Sequence, residues 1–138
     1  MGRTFRGVLL PIILLTSGIA SCSPSANMKG MPPEVEAAPR VVGEAYAFAA
    51  QHPDVLKQLP CYCGCGAIGH KSNYDCYITG VDEGGAITYD LHAVGCSICV
   101  DITRDTMRLL SEGRSLAEIR GQIDSTYSAF GPSNMPSR

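Results

Sequence analysis

Cys61, Cys63 and Cys65 stand on alternate positions of the run PCYCGCGAIGH, residues 60–70, which His70 closes. Cys76 follows, and then His92, Cys96 and Cys99. Thiolate and imidazole are donors for soft or borderline metal ions, and both bind only when deprotonated. Six sulfurs and two ring nitrogens make eight donors, enough for two four-coordinate sites or one polynuclear site with bridging sulfurs. No cluster of aspartates or glutamates accompanies them, which argues against calcium or magnesium.

A disulfide framework is the competing use of the same thiols, since six cysteines in an exported domain allow 15 pairings. Three features weigh against it. Neighbours in a Cys-x-Cys-x-Cys run are badly oriented to bridge one another. Cys96 and Cys99, one helical turn apart, would point their sulfurs the same way. Two histidines accompany the thiols, and cystines have no use for imidazole. Soft multi-thiolate sites favour Cu(I) and also hold Zn(II) or iron–sulfur clusters. Copper is preferred, because closely spaced thiols can share bridging sulfurs, and zinc comes next, as a structural ion. Mercury or general thiol sequestration would use the same atoms.

An enzymatic reading also exists. Cys96-Ser-Ile-Cys99 has the spacing of a dithiol redox pair, which needs a thiol pKa lowered at a helix start. The helical pattern puts Cys96 about four residues inside its helix, and no thioredoxin-like alternation of strands and helices surrounds it. The expectation is therefore a binding protein and not an enzyme, with thiol–disulfide exchange as the runner-up.

The elements that must position these donors are short. Val42, Ala45, Tyr46 and Ala49 recur at helical spacing and predict a helix over 41–51, and His52-Pro53 opens a second short one with Val55, Leu56 and Leu59. Residues 76–81 and 86–91, separated by Asp82-Glu83-Gly84-Gly85, read as a β-hairpin. A third helix is expected over 92–111, with Cys96, Cys99, Ile102, Thr103 and Thr106 inward and Arg104 and Arg108 outward. His92, four residues before Cys96, would share that inner face. Ser115 and Glu118 form a capping box for a fourth helix with Leu116, Ile119, Ile123, Tyr127 and Phe130. The fold class is α+β, mostly helical: one small domain of four helices, a short hairpin and a cysteine-rich metal-binding loop.

The 138 residues carry 11 bases and 13 acids, with no basic stripe for nucleic acid. Arg3 and Arg6 precede an apolar run, and Ile19-Ala20-Ser21-Cys22 ends it. That is the layout of an export signal, too short for a lasting membrane span. Its ending resembles a bacterial lipoprotein signal, so residues 1–21 are expected to be removed and Cys22 to be acylated as a lipid anchor. Losing Arg3 and Arg6 leaves 11 − 2 = 9 bases against 13 acids; acyl chains, and not attraction to anionic lipid, would then hold the membrane. Residues 22–40, with four prolines and no helical or strand period, read as a flexible tether, 41–130 as the cysteine-rich domain, and 131–138 as a loose tail.

Pro60-Cys61-Tyr62-Cys63-Gly64-Cys65, then Gly69-His70-Lys71-Ser72-Asn73 and Cys76, then His92, Cys96 and Cys99, resemble the bacterial proteins named for their PCYCGC motif. The resemblance covers roughly residues 41 to 130. It implies an exported, often lipid-anchored protein, on the outer face of the cell membrane or in the periplasm, and assigns no activity. The metal expectation rests on donor chemistry alone, and its corollary is a protein partner that gives or receives the ion.

Overall fold

Proline sets the start of the folded chain. Pro33 stands at the first position of helix α1 (Pro33–Glu36), where a fixed φ and a missing N–H do no harm. Pro39 precedes α2 (Arg40–Gln51), and Pro53 opens α3 (Pro53–Leu56). The computed structural model describes residues 1–2 and 30–136. Most of the expected signal segment, the expected anchor Cys22 and the first part of the expected tether lie outside these residues.

Strands β1 (Ile78–Val81) and β2 (Ile87–Tyr89) pair antiparallel, with an irregularity between Ile78 and Gly80. Asp82 caps the hairpin by accepting the Ala86 N–H at 2.8 Å, and Gly85 turns the chain at φ 86°. Helices α4 (Ser97–Ser111) and α5 (Leu116–Tyr127) pack on each other, and α4 also packs on α2. The expected capping box is present: Ser115 accepts from the Glu118 N–H, and Glu118 returns to Ser115. Among the described residues there are five α-helices, and no helix is long and apolar enough to cross a membrane.

The core runs between α2, α4 and α5 and reaches under the hairpin. Tyr46, Tyr77, Ile102, Ile119 and Ile123 are fully buried in it. Tyr46 meets Tyr77 edge-on with ring centres 5.0 Å apart, and its hydroxyl donates to the Asp90 carbonyl at 2.7 Å. Cys61, Cys65, Cys76 and Cys99 belong to the same buried cluster. His52 caps the boundary between α2 and α3, as its place before Pro53 suggests.

Four expectations need correction. The helix predicted over 92–111 begins only at Ser97, because Gly95 interrupts it; His92–Val94 is a separate 3₁₀ turn, and Cys96 is the extended N-cap of α4. Cys76 does not lie in the first strand of the hairpin but ends a 3₁₀ turn, Tyr74–Cys76. The tether expected over 22–40 is folded from Met31 onward, where Met31 and Val35 join the core and α1 packs on α2. The tail expected to be loose from 131 is tied down: Asn134 exchanges backbone and side-chain hydrogen bonds with Cys61, and Arg120 donates to the Pro136 carbonyl.

The third of these corrections is directly measurable. Val35→Ala should cost about 2 kcal/mol of unfolding free energy, as for other buried aliphatic truncations, whereas Val41→Ala on the exposed side of α2 should change little. Denaturant titration of both variants decides it. A neutral Val35→Ala would return residues 31–38 to the status of a tether.

Candidate metal centre

Three short segments and one helix end converge on a single buried spot. Pro60 delivers Cys61 into the interior, and Gly64 adopts φ 84° between Cys63 and Cys65, a left-handed conformation that side chains rarely take. Gly69, at φ 97°, closes the 3₁₀ turn Cys65–Ile68. Gly66 serves differently: a Cβ there would lie 3.3 Å from the Asn134 Cβ, so its hydrogen makes room for the C-terminal strap. Gly131 does the same against the Tyr62 carbonyl, which a Cβ would meet at 2.8 Å.

The sulfurs touch. Cys61, Cys63 and Cys99 form a nearly equilateral triangle, with Sγ–Sγ distances of 3.5, 3.5 and 3.6 Å. Cys65 and Cys76 approach to 3.6 Å, and His92 Nε2 lies 3.3 Å from Cys63 Sγ. All six cysteines of the domain are free thiols, so the disulfide framework is not the arrangement present among the described residues.

Four donor groups, each with ligand atoms within 4.8 Å of one another, overlap here: Cys63–His92–Cys96–Cys99, Cys61–Cys63–Cys65, Cys61–Cys76–Cys99 and Cys65–Cys76–His92. Six of the seven residues belong to two groups, and Cys96 belongs to one. The donor set fits a soft or borderline ion: thiolates dominate, imidazole joins them and carboxylates are absent. This cluster can hold a metal ion.

His70 is the sequence-predicted donor that falls outside these groups. Its ring stands edge-on to that of His92 with centres 5.3 Å apart, and its Nε2 faces Asp90 Oδ2 at 3.4 Å. Cys22 lies outside the described residues.

Residues beyond the donors fix them in place. The Cys99 carbonyl receives the Tyr77 hydroxyl at 2.8 Å, the Thr103 hydroxyl at 3.2 Å and the Asn73 amide at 3.3 Å. Thr103 has one proton for that carbonyl and for Asn73 Oδ1, the closer acceptor at 2.7 Å. Asn134 accepts the Cys61 N–H at 2.7 Å and donates to the Ser72 carbonyl at 3.1 Å and to Cys65 Sγ at 3.6 Å. Tyr62 reaches α5 through Asp124 at 2.7 Å, and Asp90 Oδ1 accepts the His92 N–H at 2.7 Å. Asn134 was invisible to sequence reasoning. Its one signal is negative: it is an amide in a segment whose glycine and prolines otherwise mark a turn.

Packing thiols this closely splits their acidities. Cys61 is held well below the usual thiol range by the thiols of Cys65, Cys76 and Cys99 crowded around its sulfur. Cys65, Cys76 and Cys99 are pushed above that range chiefly by their nearness to the Cys61 sulfur, and Cys63 is raised by burial. Without a cation the interior tolerates one thiolate among its neighbours' protons. Bound metal would displace those protons.

The family model described as a protein of unknown function with PCYCGC motif matches residues 19–136. The chain belongs to the PCYCGC family. No curated protein and no solved structure matches it. The family's defining cysteines are thus Cys61, Cys63 and Cys65, three of the seven converging donors, and the match takes in α1 and the strap as well as the motif.

Two measurements follow from this geometry. In reductant and chelator, the thiol contribution to stability should pass through a maximum near pH 8.5, the unfolded thiol value. The four raised thiols contribute stability that is complete below that value and is lost as pH climbs through their folded values. Cys61, being lowered, contributes stability above it that is lost as pH falls through its folded value. Melting temperatures that still rise at pH 10 would contradict the shared-proton arrangement. Separately, Asn134→Ala leaves the Cys61 N–H without its acceptor and should cost about 1–3 kcal/mol, measurable by denaturant titration; no loss would mean that the strap does not hold the loop.

Proposed function

We propose that this domain binds cuprous ions at the cysteine cluster, for storage or delivery, on an exported, lipid-anchored protein. The observation that carries this reading is the triangle of Cys61, Cys63 and Cys99. Cu(I) is soft and accepts three thiolates in a plane. The centre of a triangle with 3.5 Å edges lies 3.5/√3, about 2.0 Å, from each sulfur, against a metal–thiolate bond of about 2.3 Å. Outward shifts of about 0.3 Å would suffice to seat an ion. Because the donor groups share sulfurs, bridging thiolates would let the cluster take more than one.

Zinc is the second choice. Cys63, His92, Cys96 and Cys99 make a three-sulfur, one-nitrogen set of the kind that closes a tetrahedral structural site. One zinc would leave Cys61, Cys65 and Cys76 unused, which favours copper. The Cys22 anchor is supported by the signal-like start of the sequence, and an outer-surface tether would suit an ion passed to or from a partner protein.

A thiol–disulfide exchange role draws support from one observation. Cys96 is the N-cap of α4 and Cys99 lies in its first turn, the geometry that lowers a thiol pKa in dithiol catalysts. Against it, both sulfurs share a donor group with Cys63 and His92.

Anaerobic titration with Cu(I), with elemental analysis and counting of free thiols, tests the proposal. More than one copper per chain is expected, with no more than one zinc when zinc is offered instead. Cys63→Ser should lose most of the copper, since Cys63 belongs to two donor groups. Copper-free wild-type protein, or full retention in Cys63→Ser, would defeat the reading. Insulin reduction that disappears when Cys96 alone is replaced would favour the redox alternative.

A further inference from the structure

His70 is built like a metal ligand yet stands apart from the converging donors. Its side chain is only 10% exposed, and its Nδ1 is buried without any hydrogen-bond partner. A buried polar atom left unpaired is costly, and native interiors rarely keep one without a reason. Its other nitrogen faces the Asp90 carboxylate at 3.4 Å. With the Nε2 proton turned to Asp90, Nδ1 carries a free lone pair. This is the carboxylate–histidine arrangement that orients an imidazole for a cation.

The surroundings give that lone pair a setting. On one side His70 meets His92, which belongs to two of the donor groups. On the other it lines a cleft of about 500 Å³ between the cysteine loop and the C-terminal strap, walled by Gly64, Gly66, Lys71 and Asn134. It also lines a recess of about 280 Å³ with Asp75 and Asp90. Gly69, in the left-handed region, precedes it. His70 therefore stands as the partition between these hollows and the edge of the cluster.

We propose that His70 is an exchange ligand: it binds the incoming or outgoing ion transiently at Nδ1 and passes it between the cleft and His92, without being a resident ligand of the loaded cluster. This rests on the reading of the cluster as a Cu(I) site. Thiolate-bound Cu(I) moves by forming a bond to a new donor before an old one breaks. The His70 imidazole, its ring centre 5.3 Å from that of His92, supplies that donor without exposing the sulfurs, and no electrons are transferred. Asp90 is a positioning residue, which fixes the His70 ring and holds the His92 backbone N–H.

The test compares wild type with His70→Ala and His70→Gln, loaded anaerobically with Cu(I), by bound copper per chain and by the rate of copper transfer to bicinchoninate. Both variants should hold as much copper as wild type and surrender it about tenfold more slowly. Asp90→Asn, which keeps both rings, should slow transfer by less and serves if the His70 variants fold poorly. An unchanged rate overturns the proposal. So does faster release, which would make His70 a mere buttress for His92, and so does the loss of one copper per chain, which would make it a resident ligand. Wild-type protein without copper would remove the cluster reading and this one together. Normal loading with unaltered exchange would remove this one alone.

Discussion

Sulfur-to-sulfur contact at about 3.5 Å inside a closed core is the constraint on which the domain depends. Several thiolates at that spacing, out of water, would repel one another by far more than a small fold can absorb. Either protons or a cation must sit among them. Protons are one solution, and they would leave the charge on Cys61, whose thiol is lowered while those of Cys65, Cys76 and Cys99 are raised. A soft cation is the other solution. The chain's local features, from Gly64 to the strap, serve to hold the sulfurs together in either case.

Holding them takes residues from the whole chain. Cys61 and Asn134 are 73 positions apart and bond twice. Asn73, Tyr77 and Thr103 meet on the Cys99 carbonyl from a 3₁₀ turn, the start of the hairpin and α4. Thr103 and Asn73 are fully buried, and each satisfies the other, so the network rigidifies the interior without leaving polar groups unpaired. Asp90 adds a third anchor by joining the end of β2, Tyr46 on α2, His70 and His92. The donors rest on a frame whose parts are mutually dependent.

Much of this was legible in the residues, and what was not has definite physical causes. The α2 pattern, the Ser115–Glu118 box and the inward face of Ile102, Thr103 and Thr106 follow from periodicity and capping, which are local. The convergence of Cys61, Cys63, Cys65, Cys76, His92, Cys96 and Cys99 followed from donor chemistry. The helix start did not, because a wheel drawn from His92 treats Gly95 as one more residue, whereas the chain breaks there and leaves Cys96 extended. That error also weakened the redox alternative more than the structure warrants. Val35 and Asn134 were missed for a related reason: single buried side chains in proline-rich segments have no period to announce them. His70 was placed among the donors because it is near them in sequence, and three dimensions set it one ring away.

The choice of cysteine for the core has a consequence for the proposed binding and release of an ion. A carboxylate site emptied of metal leaves buried charge, and a histidine site leaves unpaired nitrogen. A protonated thiol packs as a small apolar group, so Cys65, Cys76 and Cys99 remain part of the hydrophobic cluster when no cation is present. Empty and filled states would then share one packing arrangement and differ mainly in protons. In a domain with few aromatics and no tryptophan, these sulfurs also supply interior volume that larger side chains would otherwise provide. Under the proposed function stability and binding would draw on the same atoms, so the loop could not be loosened to ease release. Access would then come from its edge, where His70 and the strap border solvent.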